Sequence, residues 1–181
     1  MTFEEKKLSS DYVHRGKIIN VRVDDVELHG GRKSKREVVE HNGGVCVVAL
    51  TDTDEIFMVR QFRYPYMEVI YEIPAGKRDG NEDPITCGIR ELREETGMTA
   101  DEFIPLGELY PSPGYCGEII WLYAAKGLHE GKTDLDEDEF LEAEKFPLKT
   151  AVDMILNGEI KDAKTQAAVL KVAELKRRGK I

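Results

Sequence analysis

Three glutamates at close helical spacing are the first residues in this 181-residue chain that suggest chemistry. On a helix, Glu91 and Glu95 share one face because they stand four residues apart, and Glu94 lies beside them. Glu91 and Glu95 have no lysine or arginine four residues away, and like charges at this spacing repel by roughly 0.2–0.5 kcal/mol. Since Mg²⁺ and Mn²⁺ favour carboxylate oxygens, the three glutamates are candidate cation ligands. The alternative is a solvated acidic helix face.

The surrounding segment, Gly76–Met98, fits a longer motif and not only a cluster of acids. It reads GKRDGNEDPITCGIRELREETGM and matches the pattern G-x5-E-x7-R-E-U-x-E-E-x-G-U, in which U is an apolar residue. Every fixed position is filled, by Gly76, Glu82, Arg90, Glu91, Leu92, Glu94, Glu95, Gly97 and Met98. The segment therefore resembles the Nudix box. One mild departure is Cys87-Gly88, where family members commonly have two alanines, but both residues are small enough for close packing on a sheet.

The resemblance implies a fold and a metal site. The fold class is α/β (α+β), an α/β/α sandwich with a mixed sheet. Glu91, Glu95 and Glu94 would hold Mg²⁺ or Mn²⁺, with the carbonyl of Ala75 as a further ligand, and Glu94 is also a candidate catalytic residue. Gly76 is expected to allow a tight turn. Arg90 is expected to orient the loop and its glutamates, pairing with Glu94 one turn on, and Glu82 to be structural.

The elements that must position these residues can be read from periodicity and turn signals. Asp83 can cap a helix over residues 82–97, Pro84 suits its first turn and Gly97 can end it. Two further helices are predicted at 148–156 and 162–178. Strands are predicted at 18–28 (with a possible bulge), 36–41, 45–50, 56–62, 69–73, 103–110 and 119–125. Residues 1–42 form a small N-terminal β unit in this interpretation, and 43–181 form the Nudix hydrolase domain.

Segments outside the box resemble bacterial ADP-ribose pyrophosphatases. They are Arg36–Gly44, Val59–Arg63, Glu72–Gly76, Ser112–Glu118 and Leu135–Glu142. The resemblance implies metal-dependent hydrolysis of the pyrophosphate bond of ADP-ribose to AMP and ribose 5-phosphate, by water attack at phosphorus. It departs from the subfamily at Asn42, which replaces the proline of an H-P-G segment.

Candidate substrate ligands lie in these segments and, in one case, in the N-terminal β unit. Arg36 and Arg63 can neutralise phosphate oxygens, although each can instead form a surface salt bridge. Tyr12 is a candidate for stacking on adenine, with a plain core or surface tyrosine as the alternative. Glu72 is placed to hydrogen-bond a base or a ribose. The remaining candidates surround a terminal-ribose pocket, in which Glu118 would bind metal or ribose: Ser112, Pro113, Gly114 and Glu118.

A water nucleophile also needs a proton acceptor. By resemblance, that base comes from a mobile loop in the strongly acidic stretch 131–144, and Glu139 and Glu137 are the two candidates, unranked. A flexible solvated loop is the alternative for this run.

Composition limits the partners. The formal net charge of -9 argues against non-specific nucleic-acid binding. Three cysteines, an odd number without C-x-x-C spacing, predict free thiols in a cytoplasmic protein. The polar residues 1–10 predict no signal peptide, and no apolar run reaches the ~20 residues of a membrane helix. The expected partners are a small-molecule nucleotide substrate and a second copy of the chain, because the β unit commonly dimerises this subfamily.

Two rival functions remain open. Another nucleotide-sugar pyrophosphatase, for example one for GDP-mannose, would carry the same box. A non-catalytic Nudix ligand sensor is less favoured, because all the box glutamates are intact. A housekeeping enzyme for oxidised nucleoside triphosphates would not need the N-terminal β unit. The sequence leaves open the rank of substrates, the preferred metal and its count, the identity of the base and the physiological role.

Overall fold

The computed structural model describes residues 3–135 and 140–181 of the chain. The chain divides into two compact units. One unit contains the chain up to Gly43 together with Tyr110–Ile119, and the other contains Gly44–Leu109 and Ile120–Ile181. Within the described residues, no helix is long and apolar enough to span a membrane.

The first unit is a three-stranded antiparallel sheet. Its strands, in spatial order, are β1 (Lys6–Arg15), β2 (Ile19–Glu27) and β3 (Lys33–His41). Strands β2 and β3 pair without a break, whereas β1 has two register shifts, so the irregularities lie on β1 and the predicted bulge within 18–28 was wrong. Segment 110–119 lies against β3, where the Val39 N–H donates to the Tyr115 carbonyl at 2.8 Å.

The second unit contains two further sheets. The remaining strands are β4 (Gly44–Ala49), β5 (Glu55–Arg63), β6 (Glu68–Glu72), β7 (Ala75–Lys77), β8 (Met98–Leu109), β9 (Ile120–Glu130) and β10 (Leu141–Pro147). One sheet has the order β7-β4-β9-β8 and is mixed, since β4 and β9 run parallel while the other pairs are antiparallel. The other sheet, β10-β5-β6, is antiparallel.

Helices cover both faces of the mixed sheet: α1 (Pro84–Thr96) on one side, α2 (Leu148–Leu156) and α3 (Ala163–Arg177) on the other. Strand β4 is fully buried and its side chains alternate between two cores. Val45, Val47 and Ala49 pack with α1 residues, and Cys46, Val48 and Leu50 pack with α2 and α3 residues. The α/β/α sandwich with a mixed sheet that the sequence predicts is therefore confirmed.

Local capping explains where the helices begin and end. The Asp83 carboxylate accepts a hydrogen bond from the Ile85 N–H at 3.0 Å, and Gly97 ends α1 with φ 71°. Asp162 caps α3 in the same way, through the Thr165 N–H at 2.9 Å. All three helices lie within two residues of the ranges predicted from the sequence.

Two polar edge strands, and the three-residue edge strand β7, were missed by sequence reasoning. Lys6–Arg15 forms β1, and Leu141–Pro147, which begins inside the acidic stretch 131–144, forms β10. Both are polar, and most of their side chains are exposed. Each is held by backbone pairing to one neighbour, so neither shows the apolar alternation by which strands are recognised in a sequence.

Candidate active site

Helix α1 carries two glutamates on the face that it buries. Its buried residues are Cys87, Gly88, Glu91, Leu92 and Glu95, a stripe of helical spacing. Glu91 is 7% exposed and Glu95 is 3% exposed. A buried carboxylate is costly unless partners compensate its charge, so glutamate at two core-facing positions indicates a site and not packing alone.

Both carboxylates come to the backbone of β7. The Ala75 N–H donates to Glu95 Oε2 at 3.0 Å. A Cβ atom at Gly76 would overlap the carboxyl group of Glu91, so this carboxylate lies directly against the glycine. Gly76 is not in the left-handed conformation, so the expectation of a tight turn there was wrong. The glycine is required because Glu91 approaches so closely.

Arg90 connects the box glutamates to one another. Its guanidinium bonds to Glu82 at 3.0 Å, Glu91 at 2.8 Å and Glu94 at 2.9 Å, which confirms the pairing expected with Glu94. Its Nη2 also donates to the Lys77 carbonyl at 3.2 Å. The hydrogen bond to Glu82 is the chief reason that the pKa of Arg90 is raised, so the guanidinium stays charged. The same hydrogen bond is the main cause that lowers the pKa of Glu82.

A second arginine, Arg78, shapes the loop before α1. Its Nε and Nη2 donate to the Glu82 carbonyl, at 2.7 and 2.5 Å. Its guanidinium carbon lies 4.7 Å from the ring centroid of Trp121 on β9, which is a cation–π contact. Sequence reasoning missed both residues, because the contact joins a loop to a strand more than forty residues away.

The donor set of α1 and β7 fits a hard divalent cation. In residues 3–135 and 140–181, no group of three or more His, Cys, Asp or Glu side chains is arranged to hold a metal ion. Arg90 binds Glu91 and Glu94, and the Ala75 N–H binds Glu95. Two buried carboxylates that meet at one short strand nevertheless supply the oxygen ligands that Mg²⁺ and Mn²⁺ prefer.

Glu72, at the end of β6, is the centre of a buried ionic network. It is 2% exposed, and Arg63 binds it through two parallel hydrogen bonds of 2.6 and 2.7 Å. Lys164 on α3 donates to Glu72 Oε2 as well. Burial alone would raise the pKa of Glu72, but Arg63 and Lys164 outweigh it and hold that pKa below its usual value.

Two predicted substrate ligands, Arg63 and Glu72, are therefore each other's partners. Arg63 forms a salt bridge, which was the alternative to a role in phosphate binding. That it binds a phosphate of the substrate stays a prediction. Lys164 was not predicted at all. Nothing in its surroundings in the sequence marks it, because it meets Glu72 across ninety-two residues of chain.

Arg36 and Tyr12, predicted to bind substrate, have partners within the first unit. Arg36 forms an ion pair with Glu5, through hydrogen bonds of 2.8 and 2.5 Å. The Tyr12 hydroxyl lies 3.1 Å from both carboxyl oxygens of Glu40, and Arg15 stacks over its ring at 3.6 Å. Their roles toward substrate stay predictions.

The loop predicted to line a ribose pocket is a tight turn in the first unit. The Ser112 carbonyl accepts hydrogen bonds from the Tyr115 and Cys116 N–H groups, and Pro113 and Gly114 are exposed. Glu118 Oε1 lies 3.3 Å from His41 Nδ1, a neighbour that sequence reasoning missed. The two candidate bases, Glu137 and Glu139, lie outside the described residues.

Most of this chain is similar to known proteins. The NUDIX domain model matches residues 40–169, and the model of the nucleoside diphosphate sugar hydrolase N-terminal domain matches residues 5–39. An ADP-ribose pyrophosphatase of Bacillus subtilis (strain 168) is 44% identical over 170 residues, which are 93% of this chain and 92% of that protein. A methanol dehydrogenase activator of Bacillus methanolicus is 44% identical over 169 residues, 92% and 91% of the two chains.

A solved structure supports the fold. The crystal structure of an ADP compounds hydrolase superposes with a TM-score of 0.85 and 24% identity, and the match covers 98% of this chain and 97% of that chain. Three findings lead to one conclusion: the box lies on a capped helix, the helix packs on a mixed-sheet sandwich, and the NUDIX domain model matches residues 40–169. This chain belongs to the Nudix family of hydrolases.

Proposed function

We propose that this chain hydrolyses the pyrophosphate bond of ADP-ribose to AMP and ribose 5-phosphate, with Mg²⁺ or Mn²⁺ as its cofactor. One observation carries the proposal: the buried carboxylates of Glu91 and Glu95 meet at the backbone of Ala75 and Gly76. The similarity to a protein named ADP-ribose pyrophosphatase, over more than nine-tenths of both chains, supports the substrate.

The proposed ligands of the metal are Glu91, Glu94, Glu95 and the carbonyl of Ala75. When bound, the metal would neutralise phosphate oxygens and lower the pKa of a water molecule. Arg90, already hydrogen-bonded to Glu91 and Glu94, would keep their carboxylates in place.

The proposed reaction is an attack of water on one phosphorus of the pyrophosphate. A water oxygen forms a bond to phosphorus as the bond from that phosphorus to the bridging oxygen breaks, and the bridging oxygen leaves with the other phosphate. The water proton passes to a carboxylate, for which Glu94, Glu137 and Glu139 are the candidates.

Substrate contacts are proposed at the predicted positions. Arg63 and Arg36 would bind phosphate oxygens, Tyr12 would stack on the base, and Glu72 would accept from a base or ribose. Ser112, Pro113, Gly114 and Glu118 would line a ribose pocket. Arg63 keeps a half-exposed side chain while it binds Glu72, so it needs no rearrangement to meet an anion.

We also propose that the chain acts as a homodimer in the cytoplasm. The exposed apolar side chains of the first unit, among them Val13 on β1 and Ile18, support an association between copies. The three free cysteines support a reducing compartment.

The direct test is phosphate release by an added phosphatase, which acts on the two monoester products but not on intact ADP-ribose. ADP-ribose, GDP-mannose, ADP-glucose and a nucleoside triphosphate are compared with Mg²⁺ and, separately, with Mn²⁺. Because a phosphatase also attacks the triphosphate directly, that compound is followed by chromatography of its nucleotide products instead. We expect ADP-ribose to lead by about tenfold in kcat/KM, which is ~1.4 kcal/mol of discrimination.

Glu95→Gln is assayed beside the wild type, with Glu102→Gln, an exposed glutamate on β8, as its matched control. We expect Glu95→Gln to lower the activity by ~100-fold or more, since even the mutation of an outer-shell partner of a metal lowers activity about 10–100-fold. If GDP-mannose leads instead, the reaction stands and the substrate is wrong. If no compound is cleaved with either metal, the hydrolase proposal fails.

The Bacillus methanolicus relative suggests a second candidate function, activation of a dehydrogenase, because its identity to this chain is equally high. The assay is the rate of methanol oxidation by methanol dehydrogenase with the chain added. An increase that Glu95→Gln abolishes would assign the function, and no increase would remove it.

A further inference from the structure

The first residues of α3 hold the end of strand β6. Lys164 Nζ donates to Glu72 and lies 3.0 Å from Asp162 Oδ1, and its side chain is 13% exposed. Beside it, the hydroxyl oxygen of Thr165 accepts a hydrogen bond from the Ile73 N–H at 3.0 Å. The start of α3 therefore fixes Glu72 by its side chain and Ile73 by its backbone, shortly before Ala75 meets Glu95.

Glu72 binds Arg63 as well as Lys164, so fixing the Glu72 carboxylate also fixes Arg63. Glu72 Oε2 accepts from Lys164 and from Arg63 Nη2, while Oε1 accepts from Arg63 Nε. The side chain of Arg63 remains 37% exposed. Within residues 3–135 and 140–181, no hydrogen bond from Arg63 Nη1 is found, so this edge of the guanidinium is not engaged by the network.

The charges of this network balance only when Lys164 is present. Arg63 and Lys164 carry two positive charges, and Glu72 and Asp162 carry two negative charges. Without Lys164, Arg63 alone would face two carboxylates of low exposure, and an uncompensated buried charge is strongly unfavourable. Glu72 and Arg63 would then shift, and less positive charge would remain for a ligand.

We propose that Lys164 is a positioning residue for substrate binding, which fixes Glu72 so that Arg63 presents Nη1 to a phosphate oxygen. The inference rests on the proposed function, because the anion is the pyrophosphate of the substrate. Lys164 acts through Glu72 and Arg63 and does not itself touch the substrate.

The test compares Lys164→Met with Lys161→Met. Lys161 is a matched control, because it binds Glu68 on the same strand β6, but its side chain is 60% exposed. With ADP-ribose and saturating metal, we expect Lys164→Met to raise KM about tenfold, the scale of coupling between contacting residues, with kcat changed less than about twofold. Lys161→Met should match the wild type, and Lys164→Arg should recover part of the loss.

A double variant separates positioning from direct contact. If Lys164 acts through Arg63, adding Lys164→Met to Arg63→Ala should raise KM no further. Thermal unfolding confirms that each variant is folded. Should Lys164→Met not fold, Asp162→Asn/Lys164→Met keeps the charge balanced and leaves a side-chain oxygen to cap α3. Its KM should still rise, because Glu72 has lost its contact with Lys164, and an unchanged KM would contradict the positioning role.

The outcomes distinguish this inference from the proposed function. If the wild type cleaves none of the four compounds, the proposed function and the positioning role of Lys164 are both wrong. If it cleaves one and Lys164→Met behaves as Lys161→Met does, only the positioning role is wrong. An unchanged KM with a reduced kcat, or additive effects with Arg63→Ala, would also overturn it.

Discussion

At the scale of single residues, Gly76 occupies a position that has no room for a side chain. An added Cβ would overlap the Glu91 carboxyl group, so Gly76→Ala must displace that carboxylate. We expect kcat to fall by ~10–100-fold, as when the support of a metal ligand is lost. Steady-state kinetics with ADP-ribose checks this. Gly117→Ala is the control, since its Cβ meets only the Val39 carbonyl oxygen at 3.6 Å, and equal loss in both variants would contradict the account.

Glu72 makes a prediction about stability and pH. Its pKa is lowered in the folded protein, so its contribution is fully present above the ordinary carboxyl range and is lost as pH falls through the folded value. At neutral pH, Glu72→Gln should lower the free energy of unfolding by about 3–5 kcal/mol, because Arg63 and Lys164 lose a buried partner. The free energies of unfolding of Glu72→Gln and wild type should become more similar in acid, where Glu72 becomes protonated.

Denaturant unfolding at a series of pH values measures that difference. Glu68→Gln is the matched control on the same strand, and its exposed pair with Lys161 is expected to contribute about 0–1 kcal/mol. A difference for Glu72→Gln that does not change between neutral and acid pH would argue against the ionic network.

At the scale of elements, two helices begin with an aspartate cap, and the two aspartates differ in their other contacts. Asp83 caps α1 only, whereas Asp162 caps α3 and also binds Lys164. Asp83→Ala should cost ~1 kcal/mol, as a lost cap does. Asp162→Ala should cost about 1–3 kcal/mol more, since Lys164 loses one of its two carboxylate partners and the buried Thr165 hydroxyl loses its acceptor. Thermal unfolding compares the two, and equal losses would show that the contact with Lys164 contributes no stability.

The elements differ in how well the sequence predicts them. Helix α1 and strand β4 are recognisable, because capping residues and buried periodicity are local signals. Strands β1 and β10 are not, since partners distant in the sequence hold them and their side chains are mostly exposed. An edge strand of that kind is visible only once its neighbour is placed.

The candidate site divides in the same way. The glutamates of the box follow from spacing within one helix, and so does the pairing of Arg90 with Glu94. Lys164 and Trp121 could not be predicted, because each reaches the site from an element that only tertiary packing brings near. The reason for Gly76 was also out of reach, since it depends on where the Glu91 carboxylate lies.

At the scale of the whole molecule, the proposed dimer makes a prediction about mass. Light scattering coupled to size exclusion should give twice the 20.5 kDa of one chain. Val13 is exposed on β1, so Val13→Asp should shift the equilibrium toward monomer by placing a charge in an apolar contact. Asp11→Asn, on the same strand, is the control. A monomeric wild type at micromolar concentration would exclude the dimer.

The cation–π contact between Arg78 and Trp121 gives the whole chain an internal optical probe. The chain has a single tryptophan, Trp121 on β9, so tryptophan fluorescence reports on one place, where this ring contacts Arg78 of the loop that precedes α1. A titration with Mg²⁺ that moves this loop should therefore change the emission without any attached label, and Arg78→Lys should alter the starting spectrum by removing the stacked guanidinium. Metal binding at the box can thus be followed in the wild type without substrate, so turnover does not contribute to the signal.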